Sequence, residues 1–417
     1  MRQNHHARPC ADARKTPIFK RVEQHPHHFA HSTYRQTRFL PLMMALTNKG
    51  FLMVIRRRLL LGAATCGALA PALVACSSDK SEQEAAHALR QSAALIRGDA
   101  AALRRELVRY ATLAPSSHNT QCWRFQIQDQ AIIITPDMSR RTPVVDPDDH
   151  HLFVSLGCAT ENLAQAALAN GFKTSVLLDT NGSITCGLEP TKAMTSPLFR
   201  AIADRQCTRA DYDGKSLTND ELRLLERAGT GDGVSVRLLT AKPAMESALE
   251  HVVAGNTTQM NDAAFVRELK SWIRFSADEA LRTGDGLFSG TTGNPAVPRW
   301  LGSPMMSLLY SPKSENEKIA RQIRSSAGLA VFVSEQNKQA HWVEAGRCYE
   351  RFALQATALG IRNAMLNQAV EVPAVRAQFA SWLGLQATEQ RPDLVVRFGR
   401  GPVAPLSMRR PVQAVLI

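Results

Sequence analysis

The feature that most restricts what this chain can fold into is the boundary at Cys76. From Met53 the sequence reads MVIRRRLLLGAATCGALAPALVACSSDK, three arginines followed by an apolar run that ends in small residues before a cysteine. That order is typical of an export signal. The apolar part, residues 59–75, contains two glycines and a proline and is short for a transmembrane helix. We therefore expect the folded body to begin after Cys76.

Two details refine this prediction. RRRLLLGA resembles a twin-arginine export signal, and the run from Leu73 to Cys76 resembles a lipobox, in which the cysteine is lipidated. The sequence thus predicts an exported protein, either periplasmic or anchored to the membrane through a lipid on Cys76. The ordinary alternative is a buried helix, but such helices rarely begin with three arginines.

Residues 1–52 have the composition of a disordered leader. They hold six of the chain's 12 histidines and nine Lys or Arg against two Asp or Glu, without sustained apolar periodicity. Such a segment cannot bury a core. It is interpreted as a leader or as a start assigned too far upstream, with a metal-binding tail as the alternative.

The net charge of +13 belongs mostly to these N-terminal segments, because the leader carries +7 and the three arginines of the signal carry +3. The body after Cys76 keeps only +3 and has no basic stripe with aromatics between, so nucleic-acid binding is not expected. The body's cysteines form no CxxC pair and predict no metal site, although one or two disulfides are possible outside the cytoplasm.

Hydrophobic periodicity in the body predicts helices and strands without a regular βαβ order, which indicates an α+β fold. Two hairpins are expected, one turning at Asp129-Gln130 and the other at Asn181-Gly182. Helices are predicted over residues 82–113 (one or two helices), 148–170, 197–213, 219–228, 342–359 and 372–382, and further strands over 234–239, 328–335, 361–367 and 393–399. Residues 283–312, rich in Gly, Pro and Ser but containing Trp300 and Tyr310, predict a long lid loop.

The loop from Ala114 to Trp123, APSSHNTQCW, contains many hydrogen-bonding side chains beside one indole. It follows a predicted helix and precedes a predicted strand, and loops seated on rigid elements are common binding sites. Short polar side chains also cap helices and satisfy turns, which explains many such loops. The crowding favours a planar ligand that accepts hydrogen bonds along its edge.

Several segments together resemble the flavin-dependent nitroreductase superfamily. APSSHNTQCWRF resembles its APSxxNxQPWxF signature, and RQCTR, from Arg205 to Arg209, resembles its RxS/TxR phosphate-binding element. Residues 342–371 resemble the family's long core helix, strand and flavin-lining turn. Residues 393–401 and 408–416 resemble its closing strand and C-terminal arginine segment. The motif order resembles the Acg-like branch, in which two diverged copies are fused into one chain.

The resemblance implies a nitroreductase-like α+β fold in which residues 81–195 and 196–417 form an internal pseudo-dimer that is monomeric as a chain. It implies a non-covalently bound FMN, held across the two halves, and small-molecule electron donors and acceptors. The phosphate would be held by Arg205, Cys207, Thr208, Arg209 and Arg409, since guanidinium forks match phosphate oxygens. The isoalloxazine or ribityl edge would be contacted by Ser116, Ser117, Asn119 and Gln121 from one side and by Asn367 and Gln368 from the other. The alternative for each arginine is an ordinary surface charge.

Two positions depart from the family pattern. Cys122 stands where proline is usual, which loosens a backbone restraint, and Cys207 stands where serine or threonine is usual, which weakens a phosphate donor. Trp123 is expected in the core, because it opens a strand whose inner face must pack. His118 is not expected to be catalytic, since water can deliver the proton.

The implied function is a ping-pong hydride transfer through FMN to nitroaromatic or quinone-like acceptors. No GxGxxG follows a strand, so a tightly bound dinucleotide is not indicated. NAD(P)H is scarce outside the cytoplasm, which leaves the donor of an exported enzyme open. Two alternatives remain, an exported protein that sequesters flavin with little turnover and a flavin-free lipoprotein scaffold.

Overall fold

The computed structural model describes residues 81–91, 99–385 and 389–417. The predicted leader, residues 1–52, and the predicted export signal, residues 53–76, lie outside the described residues. Within the described ranges, no helix combines the length and the apolar character that a membrane span needs.

Helices and strands alternate irregularly along the chain, which confirms the α+β prediction. The strands are β1 (Trp123–Ile127), β2 (Ala131–Pro136), β3 (Phe172–Leu178), β4 (Ile184–Pro190), β5 (Val234–Leu239), β6 (Ile273–Arg274), β7 (Leu287–Phe288), β8 (Gly328–Ser334), β9 (Arg362–Met365) and β10 (Arg391–Gly399). A helical segment over residues 81–88 precedes α1 (Ala100–Thr112), α2 (His150–Ala169), α3 (Pro197–Ala201), α4 (Asn219–Ala228), α5 (Lys242–Asn261), α6 (Ala263–Trp272), α7 (Ala277–Thr283), α8 (Arg299–Leu309), α9 (Pro312–Arg324), α10 (Gln339–Ala358), α11 (Gln368–Glu371) and α12 (Pro373–Trp382).

The two four-stranded sheets share one topology. Their strand orders are β1-β2-β4-β3 and β5-β8-β10-β9, and all pairings in both are antiparallel. In each sheet a 20-residue helix follows the second strand, α2 after β2 and α10 after β8. This common order is what two diverged repeats would produce.

Helices α2 and α10 form the centre of the main core and pack unusually closely. A Cβ atom on Gly157 would lie 2.0 Å from the carbonyl oxygen of Val343, and one on Gly346 would lie 2.0 Å from that of Val154. Only glycine permits this separation, because any larger residue would overlap backbone atoms that cannot rotate away. Both glycines therefore set the distance between the two halves of the core.

Most predicted elements form where the local pattern placed them. Both hairpins are present, and Gly182 supplies the positive φ, 81°, in the second turn. Helix α2 is followed by Gly171 with φ 85°, as its C-terminal signal indicated. Helix α4 begins with a capping box between Thr218 and Glu221. Trp123 is fully buried in the core, as expected.

The predicted helix over residues 197–213 is wrong beyond its first turns, since α3 ends at Ala201. After it the chain becomes extended, and the backbone N–H of Thr208 donates to the carbonyl oxygen of Asn363 at 2.9 Å. Cys207 forms a parallel bridge with Asn363 at the edge strand β9. Pairing with a distant strand outweighs the local helical pattern here.

The predicted lid loop over residues 283–312 is also wrong in its details, because it contains β7 and the 11-residue helix α8. Pro304 lies inside α8, where proline normally costs about 3 kcal/mol. Helix α8 forms nevertheless because it packs: Met306 is buried, and a Cβ on Gly302 would lie 2.5 Å from the Phe275 ring. Helices α5, α6, α7 and α9 were not predicted.

Candidate functional site

The APSSHNTQCW loop connects α1 to β1 in a strained backbone conformation. His118, Asn119 and Gln121 have φ values of 49°, 53° and 53°, and the described chain contains only one other non-glycine residue with positive φ, Asp149. Left-handed conformations are costly for such residues and persist only where the surrounding structure enforces them. They are concentrated at functional sites, which marks this loop as a candidate.

Two amide side chains hold the loop in place. Asn119 Nδ2 donates to the carbonyl oxygen of Gly286 at 3.0 Å, and its Oδ1 accepts from Arg409 at 3.0 Å. Gln121 Nε2 donates to the carbonyl oxygen of Gly284 at 2.8 Å, and its Oε1 accepts the Arg410 backbone N–H at 2.8 Å. These bonds fasten the loop to two segments distant in sequence. The side chains of Asn119 and Gln121 therefore act here as structural supports, and flavin contact by them stays a prediction.

Beside this loop lies a cavity of about 540 Å³, a size typical of small-molecule sites. Helices α2, α5 and α8 and the turn after β9 also contribute to its walls. The predicted cofactor residues that line it are Ser116, Ser117, Cys207, Arg209, Asn367 and Gln368. The structure thus brings together predicted residues from three separate stretches of the sequence. Its wall does not include Arg205, Thr208, Asn119, Gln121 or Arg409.

Arg209 differs from the other predicted phosphate ligands because its guanidinium forms no hydrogen bond or ion pair with any described residue. Arg205 and Arg409 are buried, and both donate to the carbonyl oxygen of Leu113, at 2.9 and 3.1 Å. Nε and Nη1 of Arg205 and Nε of Arg409 are buried and form no hydrogen bond with the described residues. Arg209 is therefore the arginine available to a ligand in the cavity.

Arg205 has a buried carboxylate beside it. Its Nε lies 3.2 Å from Oε1 of Glu350, and both side chains are inaccessible to solvent. Burial raises the pKa of Glu350 to about 7, although the charge of Arg205 opposes the shift. Neighbouring Thr208 is fully buried, with its backbone paired to Asn363. These residues stabilise the wall behind Arg209.

Polar groups without partners face this cavity. Nδ1 of His118, Nε2 of His151 and Oε1 of Gln368 are buried and find no hydrogen bond within the described ranges, and all three residues line the cavity. Burial, followed by the charge of Arg209, lowers the pKa of His118 to about 4, so its imidazole is neutral at pH 7. Buried polar atoms without partners are costly, which indicates that a polar ligand or water satisfies them.

A second imidazole in the cavity wall has a carboxylate behind it. Nδ1 of His151 lies 3.6 Å from Oδ1 of Asp146. Burial alone would lower the pKa of His151, but the Asp146 carboxylate outweighs it and raises that pKa above the usual value. The pKa of Asp146 falls to about 2 despite burial, because His151 and backbone N–H groups stabilise its anion. The Asp146 carboxylate thus favours the protonated form of His151, which lines the cavity.

His150 belongs to a separate buried network. Its Nε2 lies 2.8 Å from Oδ1 of Asp393, whose other oxygen accepts from Ser334 Oγ at 2.6 Å. Burial raises the pKa of Asp393 to about 7 and lowers that of His150. Asp146, His150 and His151 have potential ligand atoms within 4.8 Å of one another, a grouping that the sequence did not indicate. Their existing bonds to Asp393 and to the start of α2 account for this proximity.

The cysteines are free thiols in the described body. Cys122 is buried, and burial raises its pKa to about 12, which makes its thiol unreactive. Cys207 lines the cavity, with its sulfur 3.9 Å from the hydroxyl of Tyr349. The two departures from the family pattern are thus a core residue and a wall residue.

Sequence reasoning missed several wall residues, among them His151, Glu371 and Arg397. Glu371 accepts from Gln259 at 2.6 Å and has a pKa raised by burial. Nη2 of Arg397 donates to the carbonyl oxygens of Thr208 and Ala210. The two adjacent histidines after Asp146 are conspicuous in the sequence, but their spacing does not predict that His151 lines the cavity.

No protein-family model matches the chain. Two Mycobacterium tuberculosis proteins, from strains CDC 1551 / Oshkosh and H37Rv, are named as candidate NAD(P)H nitroreductases. The chain is 24% identical to each over 316 residues, which covers 72% of this chain and 85% of theirs.

Solved structures with partial similarity include a nitroreductase with bound FMN from Bacteroides fragilis, which is 17% identical and has a TM-score of 0.31. It covers 50% of this chain and 90% of its own. An FMN-dependent nitroreductase from Mycobacterium smegmatis in complex with NADPH is 13% identical, has a TM-score of 0.33, and covers 52% of this chain and 91% of its own. TM-scores of this size do not establish a shared fold, and the similarity of the chain to nitroreductases is one of sequence.

Proposed function

We propose that the chain is a member of the nitroreductase superfamily and an FMN-dependent oxidoreductase that carries a hydride from an NAD(P)H-type donor to nitroaromatic or quinone-like acceptors. The mycobacterial relatives are named for NAD(P)H and nitroreductase activity. The observation that carries the proposal is the cavity beside the APSSHNTQCW loop, where the guanidinium of Arg209 has no partner in the described chain.

The residues present fit FMN. Arg209 offers an unpaired guanidinium for a phosphate, and the hydroxyls of Ser116 and Ser117 border the same cavity. Buried Oε1 of Gln368 has no hydrogen bond in the described chain and could accept one from a ring or ribityl donor. Arg205 and Arg409 add positive charge behind the wall, with their contact to phosphate remaining part of the proposal.

Bound FMN supplies two-electron hydride chemistry. The chain's residues position the reactants and supply the proton. Nε2 of His151 holds a proton at the cavity wall because the Asp146 carboxylate stabilises the imidazolium. An acceptor that gains a hydride also needs a proton, and His151 can donate it to the developing oxyanion. Neutral His118 can only accept or donate a hydrogen bond there.

A flavin titration of the purified full chain tests the binding step. We expect the fluorescence of added FMN to be quenched, and Arg209→Ala to weaken binding about 10-fold to 100-fold, as loss of a charged hydrogen-bonding partner predicts. Arg209→Lys should recover part of the affinity, because lysine keeps the charge but not the fork. Arg324→Ala, an exposed arginine paired with Glu246, is the matched control. Unchanged affinity in Arg209→Ala would remove Arg209 from the site.

Turnover distinguishes the enzyme from a flavin-sequestering protein. An enzyme should be reduced by NADH or NADPH and reoxidised by a nitroaromatic or a quinone, with parallel double-reciprocal plots for a ping-pong sequence. A chain that retains FMN but is reduced and reoxidised by no such pair would support the sequestering alternative. A chain that binds no FMN would refute both.

We also propose that the chain is exported, lipidated at Cys76 and monomeric with an internal pseudo-dimer. The support is the signal-like sequence and the repeated sheet topology. Cys76→Ser should move the protein from the membrane fraction to the soluble fraction. Sedimentation of the solubilised protein at one chain's mass, 45.8 kDa or less after processing, would agree with a monomer, and a dimer mass would contradict it.

A further inference from the structure

Helix α8 exposes an apolar stripe to solvent. The side chains of Trp300 and Leu308 are 76% and 84% exposed, and that of Leu301 is 39% exposed. Trp300, Pro304 and Leu308 are spaced four residues apart and therefore share one face of the helix. Large apolar side chains exposed together on one face usually mark an interaction site.

The opposite face of α8 borders the cavity. Gly302, Met305 and Met306 are part of the cavity wall. Helix α8 therefore separates the cavity from the outside and is apolar on both sides. Methionine side chains adapt to ligands of different shape, which suits a passage for apolar molecules.

The first described helical segment, which follows the predicted lipid anchor in the sequence, lies close to this helix. The helical segment over residues 81–88 contributes Ala86 to a small core with Ala277 and Phe288, and Ala296, just before α8, packs against the same cluster. Cys76 lies only five residues before Ser81. Five extended residues span at most about 18 Å. A lipid on Cys76 would hold this side of the protein at the membrane.

We propose that the outer face of α8 lies in the interfacial layer of a lipid bilayer, and that the cavity receives a lipid-dissolved quinone past this helix. The second clause rests on the proposed function, whereas the first does not. Tryptophan is enriched at membrane interfaces, and short helices with one strongly apolar face lie in that layer. A second copy of the chain is the competing occupant of this stripe, and the quenching test below distinguishes it from a bilayer.

The redox step balances with the co-reactants already named. The NAD(P)H-type donor would supply the hydride, for which bound FMN would provide the two-electron chemistry, and the quinone would take up that hydride and one proton and leave as a hydroquinone. The Asp146–His151 pair at the inner wall is the proton source. A quinone head group is planar and polar at two ends, while its tail is apolar and can remain beside the methionines of α8.

The membrane contact is tested by tryptophan quenching, which requires neither flavin nor turnover. The full chain is mixed with phosphatidylethanolamine–phosphatidylglycerol vesicles whose acyl chains carry bromine. We expect quenching that disappears in Trp300→Phe and persists in Trp382→Phe, which removes a half-exposed tryptophan on α12 (37%). Quenching that is the same in Trp300→Phe as in the parent would overturn the proposal. Trp300-dependent self-association without quenching would do so too, and would indicate a second copy of the chain.

The entry of a lipid-dissolved quinone past α8 is tested by comparing two quinones. Leu308→Ser should lower turnover of a long-chain quinone in vesicles about tenfold, as expected for a leucine that the bilayer would bury, while turnover of a water-soluble short-chain quinone changes less than twofold. Leu177→Ser alters a leucine of similar exposure (68%) on strand β3 and should change neither. An equal loss of turnover for both quinones would refute the entry of the quinone past α8. Absence of turnover with every quinone would refute the quinone proposal. If nitroaromatics also fail while Trp300-dependent quenching persists, the proposed function is rejected and the membrane contact stands.

Discussion

The close contact between α2 and α10 makes Gly157→Ala a sharp test of the fold. The new Cβ would lie 2.0 Å from the oxygen of Val343, 2.9 Å from its carbonyl carbon and 3.1 Å from Cα of Gly346. An ordinary carbon–oxygen contact is about 3.3 Å or longer, so the helices must move apart by roughly 1 Å at this point. All three neighbours are backbone atoms, and no rotamer change can relieve the overlap.

The expected free energy follows from two opposing effects. Alanine is favoured over glycine inside a helix by about 1 kcal/mol, whereas overpacking of a dense core costs about 1–3 kcal/mol. The overpacking should reach the upper end here because the contact is with backbone. We therefore expect Gly157→Ala to lower the free energy of unfolding by about 2 kcal/mol. Urea unfolding followed by far-ultraviolet circular dichroism measures this loss.

A matched control separates packing from helix propensity. Thr258 is exposed on α5, and Thr258→Ala should change the free energy of unfolding by less than about 0.5 kcal/mol or raise it slightly. Gly346→Ala, the reciprocal contact, should resemble Gly157→Ala. If Gly157→Ala is as stable as the parent, the helices do not pack at this distance and the reasoning is refuted.

Three further predictions concern the cavity and its loop. Burial lowers the pKa of His118 in the folded chain to about 4, below the usual 6.5, so the unfolded chain takes up this proton first as the pH falls. The free energy of unfolding should therefore fall by about 2–3 kcal/mol from pH 6.5 towards pH 4, allowing for partial exposure. In urea unfolding at several pH values, His118→Gln should show a smaller fall than the parent. Asn119→Ala should cost about 2–4 kcal/mol in urea unfolding, because Arg409 loses a partner and alanine disfavours positive φ, while Asn119→Gly should recover the backbone part. His151→Gln should lower kcat about 100-fold and abolish the fall in kcat at alkaline pH, where the imidazolium is lost, without weakening FMN binding; an unchanged pH profile would contradict the role of His151.

The sequence alone predicted the features that neighbouring residues control. Asn181-Gly182 gives a hairpin because glycine adopts the positive φ of its turn, and Gly171 follows the end of α2 for the same reason. The strand over residues 234–239 and the helix over 219–228 form as their periodicity indicated. The sequence also predicted that the APSSHNTQCW loop contributes to a binding site, because many polar side chains between two regular elements form a local pattern.

Tertiary structure decided which of the polar residues face the cavity. Asn119 and Arg409 lie 290 positions apart and meet only in the folded chain, so no local pattern could show that they satisfy each other. His151 acquires its raised pKa from the Asp146 carboxylate, and α8 forms in a Gly- and Pro-rich segment because it packs on Phe275. Local propensities are worth tenths of a kcal/mol per residue, while such buried contacts are worth several. The sequence therefore located the loop, and the fold assigned Arg209 to its cavity and Asn119 to its support.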